Sequence, residues 1–475
     1  MKKWILTLFI LGFSLACFWL IQNNQMPVGY DHGAYREFIN LLQNGSEYYS
    51  LRTYLQVQFE PFSWALFYYM GTIMPASFIV TWFYAIIYLG IALWLLFIGK
   101  DKNKYTIASY LWFGLFFFSV IQYTALWWWF GKEIIATFFL LWAIRHRKKL
   151  IIATIFMAAC MALHRLTGFV GLLFIASLLL DKNIKGRSLY IWLLLFSASI
   201  AGITYFWTWQ RQIMPFLWQK ISGYVFLDGS YGTLFSGIKF WFFESWLLLC
   251  GTAALLHSIV RRKSLHANKH HLVLFWSLGF MVVARCIAHT RLWVFFDLAL
   301  IMLLARVLPQ VFTKKIMLFV VTIQAAIWIH HLSFYHTPNI SEWELNKIEA
   351  IHKYLPQDSK IFVLNARYMP WLQGYSGLEI VTPYVAWYIK NNWSSLVKVM
   401  QNPEELCNIL KKMPENTYLF VGEKERFYPS IQKNKCLSEV IYINQESRVF
   451  TLNSDYKKEF PLTKLQRSQG AARCR

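Results

Sequence analysis

The stretch ASFIVTWFYAIIYLGIALWLLFI, residues 76–98, decides the fold class. It holds no charged side chain and no polar face, so as a helix it presents apolar surface all round and is long enough to cross about 30 Å of hydrocarbon. Lys100, Lys102 and Lys104 follow it at once. Basic clusters of this kind mark the cytoplasmic end of a span.

Outward from that run the same grammar repeats. The 475 residues are 57% hydrophobic and 19% aromatic with 15% charged, more apolar surface than a soluble domain buries. Trp4 to Ile21, behind Lys2 and Lys3, is longer than a signal-peptide core and lacks a small-residue cleavage site, so it reads as a retained first span with a cytoplasmic N-terminus. Tyr105 to Trp128 goes out and Ile134 to Ile144 comes in to Arg145, Arg147, Lys148 and Lys149. Leu150 to Leu163 goes out to His164 and Arg165, and Phe169 to Leu180 comes in to Lys182, Lys185 and Arg187. Ser188 to Trp209, Ile238 to Ile259, Leu272 to Ala284, Leu292 to Leu308 and Ile316 to Ile329 continue the alternation. The total is about eleven spans, and every strong basic cluster falls on one side. The net charge of +23 is therefore topology, not a nucleic-acid surface.

Two regions stand outside the spans. Residues 23–75 form a long first external loop within a transmembrane domain of residues 1–330, and residues 331–465 have the composition of an extracytoplasmic α/β domain, followed by a polar, disordered tail at 466–475. In the latter domain Trp343 to Tyr354 is helical by periodicity, and Ile361–Leu364, Glu379–Val381, Tyr418–Val421, Val440–Ile443 and Val449–Leu452 read as short strands. Cys407 and Cys436 fall there as a disulfide or as two buried thiols; Cys17, Cys160, Cys250 and Cys286 lie in spans without metal-ligand spacing.

The first loop opens with Gly29-Tyr30-Asp31-His32-Gly33, and Tyr35, Phe38, Ile39 and Leu42 then recur at helical spacing. That pattern predicts a short amphipathic helix at the lipid-water boundary, with a carboxylate beside it. Phe59-Glu60-Pro61-Phe62 opens a second, non-spanning helix along the membrane surface. Charged groups at the outer span ends need an explanation as well: Lys132-Glu133, His164-Arg165, Arg285, His289, Arg291 and, further in, Asp297. The segmentation puts them on one face of the membrane, where a carboxylate could take a proton and cations could hold a leaving phosphate. Arg165, Arg285 and Arg291 equally suit snorkelling to headgroups, Glu133 suits a first-turn partner of the helix dipole, and Asp297 suits a partner for Arg291 or Arg285.

The order of these features over about 310 residues resembles the GT-C superfamily of membrane glycosyltransferases, in particular the branch of protein O-mannosyltransferases and the lipid A aminoarabinose transferase. Asp31, Tyr35 and Glu37 match that branch's first-loop spacing, and Gly45 with Phe59-Glu60-Pro61 resembles its later loop features. Glu133 stands where a second acid opens the fourth span, and His164-Arg165-Leu166-Thr167-Gly168 where a basic residue lies near the donor phosphate. Gly374-Tyr375-Ser376-Gly377 resembles a turn of the family's external domains. His32 replaces the second acid of the loop, and the Lys of the aromatic-Glu-Lys-Pro stretch is absent.

The resemblance implies an inverting glycosyltransferase of the bacterial inner membrane that moves a sugar from a polyprenyl-phosphate donor to a lipid, glycan or protein acceptor on the periplasmic side. Asp31 and Glu133 would be catalytic, and Tyr35, Glu37, Glu60, His164, Arg165, Arg285, His289 and Arg291 would bind substrate. No metal ligand is assigned; a divalent metal is the one cofactor the family leaves open, and membrane lipids are the remaining partners. A polysaccharide polymerase or ligase, and a lipid-linked sugar transporter or flippase, are the alternatives.

Overall fold

The computed structural model describes residues 32–44, 61–98, 106–127, 131–146, 149–180, 237–261, 269–284, 289–335, 340–356, 358–363, 368–381, 402–411, 413–422, 434–442 and 448–452, with Ile191, Leu193, Ser197 and Ile431. The expected spans at 4–21 and 188–209 and the tail at 466–475 fall outside these residues or nearly so. Two compact units emerge. The first is helical and holds residues 55–337; the second joins Gln25–Tyr54 to Pro338–Arg475, so the start of the first loop groups with the α/β region and not with the membrane helices.

Helix α1 is His32–Asn44 and belongs to the second unit. In the first unit α2 is Pro61–Ile73. A continuous helical run then starts behind Pro75, passes through a π-helical turn at Ile79–Phe83 and continues as α3, Tyr84–Ile98. Helices α4 (Ile107–Phe117), α5 (Val120–Trp127), α6 (Gly131–Arg145), α7 (Leu150–Leu163) and α8 (Arg165–Leu180) follow, and then α9 (Gly237–Val260), α10 (Lys269–Val283), α11 (His289–Val311) and α12 (Lys314–Tyr335).

Among the described residues three helices are long and apolar enough to cross a membrane alone: α9, α11 and α12. The α4–α5 pair passes the same test as a broken span bent by 53°. The run from Tyr105 to Trp128 is thus not the single straight span that its apolar composition predicts. Apolar segments in α3, α7, α8 and α10 are shorter. Exposed Ile151, Ile155, Leu249, Leu318 and Phe319 put apolar surface on the outside of α7, α9 and α12, as a lipid solvent requires. Helix α11 is the inner element: 83% of its apolar window is buried, against 28% for α9 and 22% for α12. This is a membrane protein with a helical core.

Helix α2 is less exposed than a purely surface-lying helix would be. It packs on α7, where the Ser63 hydroxyl donates to the Leu163 carbonyl at 3.1 Å, while Tyr69 and Ile73 remain exposed.

The second unit continues with α13 (Glu342–Ala350), a 3-10 turn at Ile351–Lys353, β1 (Lys360–Val363), α14 (Met369–Tyr375), β2 (Glu379–Val381), α15 (Pro403–Lys411), β3 (Thr417–Val421), β4 (Leu437–Tyr442) and β5 (Arg448–Leu452). The strands form one sheet in the order β2-β1-β3-β5-β4, parallel from β2 to β3 and antiparallel beyond. Alternation along the strands feeds two cores. Ile361, Val363 and Phe420 pack with Ile348, Trp371 and Leu372 on one face, and Phe362, Leu419 and Val421 pack with Leu406 and Leu410 on the other. Gly377, at φ +70°, follows α14 in the left-handed conformation that ends helices, where glycine has no Cβ penalty.

Helix α1 corrects an expectation. Its apolar face, Tyr35, Phe38, Ile39 and Leu42, is buried, and the helix packs on α14 of its own unit rather than offering that face to lipid. An apolar stripe is satisfied equally by hydrocarbon or by protein, so periodicity alone does not choose between them.

Cys407 of α15 and Cys436, just ahead of edge strand β4, form a disulfide with their Cα atoms 6.2 Å apart, closing a loop over a sequence separation of 29. Closing a loop of that size stabilises by about 3–4 kcal/mol in the chain-entropy account. Replacing both cysteines by serine is expected to lower the thermal midpoint of the second unit by many degrees; limited proteolysis between 407 and 436 with and without reductant reads the same loss.

Candidate functional site

The break between α4 and α5 is where the first unit concentrates its polar groups. Breaking a helix at Phe118 and Ser119 frees carbonyls on one side and amides on the other, and hydrocarbon satisfies neither. The Tyr88 hydroxyl of α3 is shared between the carbonyls of Phe116 and Phe117, at 3.1 and 3.3 Å. The Gln324 amide of α12 donates to the Phe118 carbonyl at 3.3 Å. On the other side the Ser119 hydroxyl oxygen accepts from the Gln122 backbone N–H at 3.1 Å, an N-cap for α5.

Asp297 of α11 ties this break to the centre of the unit. One carboxylate oxygen accepts from the Ser119 hydroxyl at 2.7 Å and from the Gln122 side-chain amide at 2.8 Å, and that amide also donates to the Val294 carbonyl at 2.6 Å. Asp297 therefore pairs with α4–α5 polar groups. Glu244 of α9 is buried beside Asp297. Ser119, Gln122, Glu244 and Tyr88 were not singled out from the sequence. Their signal was present, since each is a polar side chain interrupting an apolar run, but only coordinates show that they meet.

Glu133 lies in the first turn of α6 and is buried. It lines a cavity with room for about one water, together with Tyr88, Gln122, Thr137 and the apolar Ile134 and Val294. The Thr137 hydroxyl is spent on the Glu133 carbonyl at 2.8 Å, and the Tyr88 and Gln122 donors are engaged as above. Neither carboxylate oxygen of Glu133 has a hydrogen-bond donor among the described residues. Arg291, in the first turn of α11, is its charged neighbour. A carboxylate so placed is able to orient or accept a proton from a donor entering from outside.

His164 has local work to do. It ends α7, it is buried, and its Nδ1 lies 2.8 Å from the Thr167 hydroxyl, so that it caps the start of α8. Gly168 and Gly171 let α8 lie close on Met161 and Met157 of α7. The helical positions of Arg165 and His289 are described but not their side chains, and Asp31, Glu60 and Arg285 lie outside the described residues.

In the second unit Tyr35 is buried on α1. Arg36 lies with its guanidinium carbon 4.2 Å from the centre of the Tyr375 ring and with Nη1 4.0 Å from Glu349. Glu37, on the same helix, is closely surrounded by protein and near Glu379, whose carboxylate pairs with Lys360 at 2.7 Å. Burial, and secondarily the Glu379 charge, pushes the Glu37 carboxyl from its ordinary 4.5 up to about 8. Glu37 thus faces the sheet edge of its own unit. Among the described residues no three His, Cys, Asp or Glu side chains converge as a metal site would need.

No protein-family model matches the sequence, and a search of curated proteins finds no match. Among solved structures the fold is similar to the Archaeoglobus fulgidus oligosaccharyltransferase, a structure tethered with an acceptor peptide containing the NVT sequon via a disulfide bond. The TM-score is 0.54 at 12% identity, covering 98% of this chain and 75% of that one. At that identity the likeness is one of fold.

Two expectations follow from this geometry. Asp297→Ala strands the Ser119 and Gln122 donors and is expected to cost about 2–4 kcal/mol, seen as a lower melting temperature in detergent, whereas Asp297→Asn keeps an acceptor oxygen and costs less. Glu37 has a folded-state pKa above its unfolded one, so its contribution to stability is complete below about pH 4.5 and is lost as pH rises through about 8. Melting curves between pH 5 and 9 should therefore fall for the wild type and be flatter for Glu37→Gln.

Proposed function

We propose that the protein is an inverting glycosyltransferase that takes a sugar from a polyprenyl-phosphate carrier and transfers it to an acceptor on the extracytoplasmic face of the membrane. What carries this reading is the GT-C-like fold along 98% of the chain. Support comes from the order of first-loop residues Asp31, Tyr35 and Glu37, from the Glu133 carboxylate, which has no hydrogen-bond donor among the described residues and lies beside Arg291, and from the disulfide, since such bonds persist in oxidising compartments.

In the proposed reaction the acceptor oxygen forms a bond to the anomeric carbon while the bond from that carbon to the carrier phosphate oxygen breaks. The polyprenyl phosphate leaves with the bonding electron pair, and the acceptor proton goes to the Asp31 carboxylate. Cations stabilise the charge that develops on the leaving phosphate, a role for Arg291 together with His164, Arg165, Arg285 and His289. Glu133 orients the acceptor or supports the base. The branch within the superfamily, the sugar and the acceptor follow from the test and not from these residues.

A second reading has an observation in its favour. Glu244 and Asp297 are buried ionisable groups on separate helices beside a broken span, an arrangement that transporters use. Proteoliposomes loaded with labelled polyprenyl-phosphate sugar separate the two. The enzyme reading expects label in an acceptor and loss of about a hundredfold or more in that transfer with Asp31→Asn, in line with general-base removal. Movement of intact labelled lipid across the bilayer without transfer overturns it.

A further inference from the structure

Glu244 of α9 is 1% exposed and lies beside Asp297 of α11, equally buried, within side-chain hydrogen-bond range of it. The packing of the two helices agrees with that contact. A Cβ at Gly251 of α9 would lie 3.2 Å from Cδ2 of Leu304 of α11. Glu244 and Asp297 each precede these residues by seven positions, 251 less 244 and 304 less 297, which is about two helical turns. The helices therefore run parallel here, with both carboxyl groups on the stripe they share. Helix α5, which carries Gln122, packs against both.

The surroundings of the pair are neutral. Asp297 accepts from the Ser119 hydroxyl and the Gln122 amide, and neither oxygen of Glu244 has a donor among the described residues. Among those residues neither carboxyl forms an ion pair with Lys, Arg or His. Arg291, further up α11, neighbours Glu133. The nearby titratable groups on other helices are Tyr88 of α3 beside Asp297, Tyr123 of α5 beside Tyr88, and His331 of α12, whose ring meets that of Phe243 next to Glu244 in the chain. Two ionised carboxylates offer each other only acceptors, and away from water their repulsion is poorly screened. Such a contact is cohesive only with a hydrogen between the oxygens.

We propose that Glu244 and Asp297 form a proton-binding site holding one proton, with the Glu244 hydroxyl donating to the Asp297 carboxylate. Asp297 is the anionic member because two donors already point at it, whereas Glu244 has none. The pair then carries a single negative charge, spread over charge-assisted hydrogen bonds that run from α5 through α11 to α9. The proton is what attaches α9 to the polar network at the broken span. The site uses no residue assigned to sugar transfer, so it stands or falls apart from the glycosyltransferase reading.

The test uses the full-length protein in lipid nanodiscs. Infrared spectra of the wild type at neutral pH are expected to show the carbonyl stretch of a protonated carboxylic acid, shifted downward in heavy water and diminished in Glu244→Gln. Glutamine still offers Asp297 a donor, so the melting temperature of that variant is expected within about 3 °C of wild type, whereas Glu244→Ala lowers it by roughly 4–10 °C. The wild-type melting temperature is expected to be the same in sodium chloride and in choline chloride of equal ionic strength. Identical carboxylic-acid bands in wild type and Glu244→Gln overturn the shared proton. A wild-type melting temperature that climbs with sodium overturns it in favour of a cation bridging two ionised carboxylates, and that comparison decides even where a variant does not fold.

Discussion

Hydrocarbon cannot solvate a free carbonyl or amide, and the first unit is arranged around one place where a helix breaks inside an apolar run. Each unsatisfied group there would cost several kcal/mol. Tyr88 from α3 and Gln324 from α12 donate to carbonyls at the break, and Asp297 from α11 holds the Ser119 and Gln122 side chains beside it. The break therefore acts as a fastening point. The helix that contributes Asp297 is also the most buried one, and it carries Arg291 within about two turns of that residue. α5 leads from the break toward α6 and Glu133. The charged neighbours Glu133 and Arg291 are thus both placed by elements that the same network holds.

The second unit is built differently, around a sheet. Its two cores form because alternate side chains of β1 and β3 point to opposite faces, and helices cover both. α1 comes from far earlier in the chain and adds a further layer against α14. This explains why its helical moment is strong although it is short: the helix has one face to bury and a partner ready for it. It also fits the glycine at position 374, where a Cβ would fall on the Gly33 backbone of α1.

The sequence made some of this plain and hid the rest for definable reasons. Apolar runs bounded by basic clusters placed α3, α6, α7, α9, α11 and α12, because hydropathy and the burial of charge act locally along the chain. β-branched and aromatic clusters between punctuating residues likewise marked the positions of the five strands among the described residues. The bend at Phe118 and Ser119 was not legible. Neither residue is a helix breaker, and what stabilises the bend is a set of partners up to 206 residues away. The partner of α1 was hidden for the same reason. At the candidate site, Glu133 and Arg291 were found from charge at a span end, and their nearness is a tertiary fact. His164 was chosen as a cation for phosphate, and its Nδ1 lies 2.8 Å from the Thr167 hydroxyl, a local cap on α8 that periodicity does not reveal.

Buried acids beside a broken helix are compatible with ion movement, so the hydrogen bonds at the break bear on which chemistry the membrane unit serves. In transporters built from discontinuous helices, unwound carbonyls face a cavity and coordinate the travelling ion. Here the carbonyls of Phe116, Phe117 and Phe118 accept from Tyr88 and Gln324, and both hydrogens of the Gln122 amide are committed, one to Val294 and one to Asp297. An ion would have to displace partners on several helices at once to reach those oxygens. Carbonyls held by side chains from separate helices are suited to keeping those helices in fixed register.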